Sequence, residues 1–516
     1  MPAHSATAFN QDISMNAAND TRKKAVKPAG ELPAHRGLML EERLLIDQSE
    51  KGRCGVDLPE PSGKSKSRLG VQARQEIGLP EVTEPQVIRH FVRLSQQNYS
   101  IDTGFFPLGS CTMKHNPRLN EKMARLNGFA NIHPLQPEAT AQGALELMYE
   151  LQHWLAEMSG LPGVTLAPAA GAHGELAGMM VIRKAHEVLG NPRKKVLVPD
   201  SAHGTNPATA AICGYEIETI PTDAQGHVNF DVAKTLISED VAGMMLTNPN
   251  TGGKFEPMAH ALADLLHEKG AYFYCDGANF NAIAGRVRPA DFGVDVMHFN
   301  LHKTFSTPHG GGGPGHGPVA VRKELAQFLP VPRIIKQGDA YALEMDAKHS
   351  IGRIKGFHGH FGMAVRALTY MMAHGGEGIR QASEDAVLNA NYIRMKLHDL
   401  YHVPFDGICM HECLLTDKKQ KEKGISTMDI AKTLVEYGFH PMTVYFPLMV
   451  QGAMLIEPTE SETRESIDEF INTMRWIANE VNEGRGEALK QNPVSAPRRR
   501  LDEVKAAKNP VLTWKH

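Results

Sequence analysis

The stretch Asp295-Val-Met-His-Phe-Asn-Leu-His-Lys-Thr-Phe305 reads as an apolar strand that ends on His302-Lys303-Thr304 and opens into the glycine tract Gly310 to Gly313. A short apolar run closed by turn residues suits a strand covered on both faces. A lysine delivered at the end of such a strand, facing a loop of bare backbone, is placed to form a Schiff base with a carbonyl cofactor. Upstream, Ala271-Tyr-Phe-Tyr-Cys runs into Asp276-Gly-Ala278. An aspartate directly after a buried strand carries a desolvation cost unless a cation faces it, and a protonated pyridine nitrogen is such a cation.

Outward from these two strands the same grammar repeats. Strands are expected at Val164–Leu166, Val196–Pro199, Tyr215–Ile220, Gly243–Thr247, Ala271–Cys275, Asp295–Asn300 and Pro318–Val321. Helical patterns lie among them at Glu175–Leu189 and Pro257–Lys269, preceded by a helix at Glu138–Ser159 whose Leu145, Met148, Leu151, Leu155 and Met158 form one stripe. Alternation of this kind builds βαβ units, so the fold class is α/β with a seven-stranded, mostly parallel sheet. Beyond residue 360 the pattern changes to long helices at Phe361–His374 and Glu377–Leu400, a strand–helix–strand pattern, and a last helix that Thr459-Glu-Ser-Glu462 would cap. The expected organisation is a disordered tail over 1–30, a loop-rich N-terminal arm over 31–130, a large domain over 131–359, a smaller C-terminal α+β domain over 360–495, and an extension over 496–516 in which Arg498-Arg-Arg500 is solvated. The arm contains Gly104-Phe-Phe-Pro-Leu-Gly-Ser-Cys-Thr-Met-Lys-His-Asn-Pro-Arg118, a stretch that cannot make its own core and is expected to wrap a neighbour.

Composition sets outer bounds. With 516 residues the chain can bury large cores without disulfides or metals, and 55 Lys plus Arg against 58 Asp plus Glu leave a net charge of −3. That balance argues against a nucleic acid or a membrane surface as the main partner. The six cysteines are scattered with no C-x-x-C pair, which fits a reducing cytoplasm, and no apolar run reaches the length of a membrane span. Gly310-Gly-Gly-Gly-Pro-Gly315 matches G-x-G-x-x-G only formally, because a strand rather than a helix follows it. His298 and His302 have no cysteine or carboxylate cluster with them, so no metal site is expected.

In open α/β sheets ligands bind beyond the carboxyl ends of strands. There the sequence puts Ala169-Ala-Gly171-Ala172-His173-Gly-Glu175, small residues entering a helix whose free N–H groups suit a phosphate. His203 follows the second strand and is placed to lie flat on an aromatic ring; Thr247 and Asn250 follow the fourth and can reach a ring hydroxyl. Asp276, with Ala278 in the same turn, and Lys303 complete a parts list for pyridoxal phosphate. Their order along successive strands resembles the aspartate-aminotransferase-like superfamily, fold type I.

A more specific resemblance rests on longer motifs: Leu108-Gly-Ser-Cys-Thr-Met-Lys114, Val198-Pro-Asp-Ser-Ala-His-Gly-Thr-Asn-Pro-Ala208, Cys275-Asp-Gly-Ala-Asn-Phe-Asn281, His298-Phe-Asn-Leu-His-Lys-Thr-Phe305, and Tyr445-Phe-Pro with Glu457-Pro-Thr-Glu460. Over about residues 31–513 the chain resembles the C-terminal half of the glycine cleavage P-protein family, the second subunit of glycine dehydrogenase (decarboxylating) in its split form. The resemblance implies a pyridoxal-phosphate oxidoreductase of glycine catabolism, in the bacterial or archaeal cytoplasm. It would decarboxylate glycine and pass the aminomethyl group to the lipoyl arm of the H-protein. It also implies a homologous first subunit in an α2β2 heterotetramer. Lys303 and His203 are the implied catalytic residues, with His302 near the phosphate and Cys111, Lys114 and His115 lining the substrate or lipoyl entrance. Two alternatives stay open: another fold-type-I amino-acid decarboxylase or lyase, and a non-catalytic partner subunit, against which the retained Lys303 and Asp276 argue.

Overall fold

The computed structural model describes residues 42–59, 62, 78–310 and 315–512. The tail expected over 1–30 and the centre of the glycine tract, residues 311–314, lie outside the described residues. The chain divides into two compact units, 1–98 and 99–516. In the first, helix Glu84–Gln96 begins where the Thr83 N–H is donated to Gln86 Oε1 at 2.9 Å, with a proline in its opening turn. Arg93 donates two hydrogen bonds to the Glu42 carboxylate, from Nε at 2.5 Å and Nη2 at 2.6 Å.

The second unit is built on a seven-stranded sheet. Its strands are β1 (Gly163–Thr165), β2 (Lys195–Pro199), β3 (Glu216–Ile220), β4 (Val241–Thr247), β5 (Tyr272–Gly277), β6 (Val296–Phe299) and β7 (Val319–Val321). Their order is β1-β7-β6-β5-β4-β2-β3. The pairs from β3 across to β6 are parallel, and β7 runs antiparallel to both β6 and β1. Each strand expected from the sequence is present, with ends shifted by at most two residues. Alternation along the strands explains why both faces are covered. Leu197, Met244, Leu246, Phe273 and Cys275 enter one core with Leu145, Met148 and Leu262 from helices Gln142–Ser159 and Ala259–Glu268. Val196, Val198, Ala242, Met245 and Tyr274 enter another beneath helix Gly171–Val188.

A long helix, Phe361–Leu397, breaks at Gly375 (φ 61°, ψ −176°), where two helices are expected from the sequence. Its first part contributes Ala364, Val365, Leu368 and Met371 to the sheet core, and its second part contributes Ala390, Ile393 and Leu397 to a separate core. A hairpin of β8 (Arg333–Gln337) and β9 (Ala340–Glu344), which turns through Gly338, has no counterpart among the expected strands. Next come β10 (Cys413–Thr416), helix Thr427–Glu436, β11 (Thr443–Val444), β12 (Ala453–Ile456) and helix Arg464–Asn482; the sheet order is β10-β12-β11, antiparallel throughout. No helix among the described residues is long and apolar enough to cross a membrane.

Two local expectations are corrected. The last helix is capped by Thr463, whose side chain accepts the Ser466 N–H at 3.2 Å, and not by Thr459. Thr459 has φ 64°, whereas a helix cap of this kind needs extended backbone, so its hydroxyl pairs with Ser461 Oγ instead. Arg500 is not simply solvated: it pairs with Asp429 Oδ1 at 2.9 Å and donates to the Asn492 carbonyl at 2.8 Å. Thr463→Ala is expected to lower stability by about 1 kcal/mol in urea unfolding, and an unchanged midpoint would refute the cap assignment.

Candidate active site

The carboxyl ends of the strands converge on a buried polar box. Asp276 is the penultimate residue of β5, and on β6 its register partner is His298. Tyr274 and Asp276 are two apart on β5 and therefore share a face of the sheet. The Tyr274 hydroxyl meets His298 Nδ1 at 2.7 Å, and His298 Nε2 lies 3.3 Å from Asp276 Oδ1. Burial holds the His298 ring below its ordinary pKa despite the nearby Asp276 charge, so the ring is neutral. With the tyrosine donating to Nδ1, its one proton faces Asp276.

Helix Gly171–Val188 can sit against this row because it presents glycines to it. A Cβ on Gly174 would fall 2.9 Å from His298 Cβ, and one on Gly178 would fall 2.6 Å from the Tyr274 ring. This close seating carries Glu175 into the box. Asn206, in the first turn of helix Thr205–Ile212, donates from Nδ2 to Glu175 Oε2 and to Asp276 Oδ2, both at 3.0 Å. The Ala278 N–H adds a 2.9 Å bond to Asp276 Oδ1. Burial opposes a charge on Asp276, but His298, the Asn206 amide, the Ala278 N–H and Lys303 outweigh it and bring its carboxyl below the ordinary range. For Glu175, burial first and the neighbouring Asp276 charge second push the carboxyl up to about 8.

Lys303 lies on the one-turn helix Leu301–Thr304 directly after β6, half-buried, and donates from Nζ to the Ser110 carbonyl at 2.9 Å. The loop that carries Ser110 is held in place by residues 300 or more positions later. Ser110 N donates to Glu412 Oε2 at 2.8 Å, and the Cys111 and Thr112 N–H groups donate to Glu457 Oε2 at 3.0 and 2.8 Å. These bonds hold Ser110 and Thr112 at positive φ, 63° and 50°, which non-glycine residues rarely adopt. Both glutamates are fully buried, and burial followed by the Glu457 charge pushes Glu412 well above the ordinary carboxyl range. Lys114 is a strut: its buried ammonium meets Glu460 at 2.6 Å, Asn281 Oδ1 at 2.9 Å and the Tyr370 hydroxyl at 3.2 Å. Burial works against its charge, but Glu460 outweighs that and keeps it raised. The Cys111 thiol is pushed up to about 11, chiefly by burial, and is protonated at neutral pH.

Comparison with known proteins gives these residues a context. Residues 173–335 match the aminotransferase class-V family, and residues 382–497 match the glycine dehydrogenase, C-terminal domain, family. The chain is 52% identical to the "Probable glycine dehydrogenase (decarboxylating) subunit 2" of Caulobacter vibrioides, over 97% of this chain and 98% of that one. It is equally identical to the subunit of the same name from Alkaliphilus oremlandii, over 92% and 98%. The chain belongs to the glycine dehydrogenase (decarboxylating) subunit 2 family. Its fold is also that of a solved glycine decarboxylase (P-protein) of the glycine cleavage system, at TM-score 0.67 and 19% identity over 92% of this chain and 99% of that chain. A NifS-like protein shares it at TM-score 0.58 and 16% identity, over 73% and 100%.

In this family member the residues expected from the sequence fall into distinct settings. Asp276 and Lys303 face one box at the ends of adjacent strands. Gly171, Ala172 and His173 open a helix with no side-chain cap. The His203 side chain is exposed and touches Phe446 edge-on at 5.8 Å between centroids. His302 packs edge-on against His309 and is neutral, its pKa lowered to about 3 by burial first. Asn250 is turned inward: Nδ2 donates to Gly226 O and Glu256 Oε1, and Oδ1 accepts from Gly252 N and Lys254 N. Its amide is therefore fully used by protein partners, whereas the Thr247 hydroxyl is buried without a partner. Glu175, Asn206, Tyr274 and His298 have no assigned role in the sequence reading. Glu175, Asn206 and His298 lie in the stretches Ala169–Glu175, Val198–Ala208 and His298–Phe305, but their contacts form only when the strands pair.

Lys114→Met is expected to lower stability by about 3 kcal/mol in urea unfolding, because Glu460 loses its cation in a nearly dry site. Alkylation with iodoacetamide at neutral pH is expected to label the exposed Cys54 and spare Cys111 until the protein unfolds. Early labelling of Cys111 in the native protein would show that its thiol is not held protonated.

Proposed function

We propose that the chain is the lysine-bearing half of a glycine-decarboxylating enzyme. Pyridoxal 5'-phosphate is held at Lys303, glycine loses its carboxylate as carbon dioxide, and the aminomethyl group passes to the oxidised lipoyl arm of the H-protein. One observation carries this reading: Asp276, its carboxyl held below the ordinary range, and Lys303 near the ends of adjacent parallel strands, in a chain of this family.

The residues present fit the cofactor. Asn300 Oδ1, Thr304 Oγ1, Thr307 Oγ1 and His309 Nε2, all within ten residues around Lys303, are buried without partners, as is Thr247 Oγ1 on β4. The first N–H groups of helix Gly171–Val188 have neither a side-chain cap nor an acceptor in the preceding turn. When bound, pyridoxal phosphate supplies an aldehyde that joins an amine and a cationic ring that takes up the electron pair released at the substrate's α-carbon.

The protein's part is to hold and orient. Asp276 keeps a proton on the ring nitrogen, and the N–H groups of Gly171, Ala172 and His173, with the neutral His302, hold the phosphate. His203 offers its open face for stacking, Thr247 its hydroxyl to the ring, and Ala278 braces Asp276 through its N–H. Lys303 would hold the aldehyde through Nζ, the atom that donates to the Ser110 carbonyl. In the transfer as a whole, the bond from the α-carbon to the carboxylate breaks and a carbon–sulfur bond forms at one lipoyl sulfur. The disulfide opens, and its electron pair and a proton end on the other sulfur. The numbering of the relatives as subunit 2 supports a homologous first subunit, in an α2β2 assembly, whose loops complete the site.

Purified chain loaded with pyridoxal phosphate is expected to show a visible absorbance band that shifts with glycine and is absent in Lys303→Ala. No band in the unaltered protein would sink the proposal. Glycine–bicarbonate exchange is expected only when lipoylated H-protein and the first subunit are both added. Methylamine release without H-protein would point to an ordinary decarboxylase, and full exchange without the first subunit would remove the need for a partner.

A further inference from the structure

We propose that Glu175 is a positioning residue that carries a proton in the working site, passing a hydrogen bond through the Thr205 hydroxyl to His203 and leaving the negative charge of the carboxylate pair on Asp276. This inference rests on the cofactor reading above and extends it to residues to which that reading gives no role.

Hydrogen-bond directions carry the argument. His203 Nδ1 accepts the Thr205 N–H at 3.2 Å, so that nitrogen bears no hydrogen. The same Nδ1 lies 2.9 Å from Thr205 Oγ1, which lies 2.8 Å from Glu175 Oε1. A hydroxyl has one hydrogen to give. If Glu175 were ionised, the Thr205 hydroxyl would have to serve its carboxylate, leaving Nδ1 and Oγ1 facing each other as two acceptors. If Glu175 carries a proton, Oε1–H donates to Oγ1, and the Thr205 hydroxyl shares the single Nδ1 lone pair with the Thr205 N–H. The His203 proton then sits on Nε2.

On the other side, Asn206 Nδ2 has two hydrogens and gives one to each carboxylate, Glu175 Oε2 and Asp276 Oδ2. Two ionised carboxylates bridged by one neutral amide repel each other in a site closed to water. The surrounding groups choose which one keeps the charge. Asp276 has the Ala278 N–H and the inward-facing His298 on β6, whereas Glu175 has only Thr205 and Asn206. The other titratable groups facing Glu175 are Tyr274 on β5 and Lys303 after β6, and the lysine does not touch it. The upward shift of Glu175 to about 8 agrees in direction with this assignment.

Glu175→Gln reproduces the protonated acid: its amide N–H donates to Thr205 Oγ1 and its carbonyl accepts from Asn206. Glu175→Leu removes both contacts. In the cofactor-free full chain, the infrared difference between unaltered protein and Glu175→Gln is expected to contain a protonated-carboxyl C=O band that fades as pH rises through about 8. With pyridoxal phosphate, Glu175→Gln is expected to bind within about threefold of the unaltered protein at neutral pH, and Glu175→Leu at least about tenfold more weakly. The ratio of the two dissociation constants, unaltered over Gln, is expected to rise above about pH 8 as Glu175 ionises only in the former. Absence of the infrared band at neutral pH, or a ratio that stays flat with pH, would overturn the proposal. A Gln variant as weak as the Leu variant would do the same, and so would a Leu variant that binds like the unaltered protein. Should the Leu variant not fold, the Gln comparison decides alone. Failure of the unaltered protein to take up pyridoxal phosphate would refute the cofactor reading, while the infrared band would still decide the protonation of Glu175.

Discussion

A negative charge has to survive on Asp276 at the closed end of a buried strand, and much of the architecture around it follows from that demand. A carboxylate removed from water is stable only where donors and cations surround it. Here the donors come from three places: the turn after β5 supplies the Ala278 N–H, helix Thr205–Ile212 supplies the Asn206 amide, and β6 supplies His298. The glycines of helix Gly171–Val188 let a backbone approach the same row closely enough to bring in Glu175. A larger side chain at Gly174 would push the helix off His298 and take Glu175 away from Asn206.

The second wall of the site has a different origin. The loop around Ser110 and Thr112 adopts a backbone that its own residues disfavour, and it does so because Glu412 and Glu457 receive its N–H groups. Those glutamates flank the β10–β12 pair, so the small sheet shapes the loop whose carbonyl meets Lys303. The lysine thus links the large sheet, which carries it, to the small sheet, which holds the group it donates to. Lys114 and Glu460 make a second tie of the same kind nearby, between the chain just after the Ser110 loop and the chain following β12.

Much of the fold was legible in advance because it is written in short-range patterns. The seven strands were visible as apolar runs, the stripe on helix Gln142–Ser159 as a helical period, and the break at Gly375 as the gap between two helical patterns. The hairpin Arg333–Glu344 was missed because its strands are only partly apolar, and the cap of the last helix was misplaced by four residues. Thr459 and Thr463 offer the same hydroxyl, and only the positive φ imposed after β12 disqualifies the first. Asp276 and Lys303 could be placed near the carboxyl ends of β5 and β6 from the sequence because each adjoins an apolar run. Asn250 looked like a ligand because its turn has the right residues, but its amide is consumed by Gly226 and Glu256.

By itself, then, the sequence determined which elements form, which strand ends carry a carboxylate and an amine, and to which family the chain is related. These are local or motif-level properties, set by periodicity, turn chemistry and residue type. Tertiary structure decided how far each buried carboxyl is shifted from its ordinary range, which two carboxylates Asn206 bridges, and which distant glutamates hold the Ser110 loop. Those outcomes depend on desolvation and on contacts between residues hundreds of positions apart, and both exist only once the sheet and its covering helices have closed.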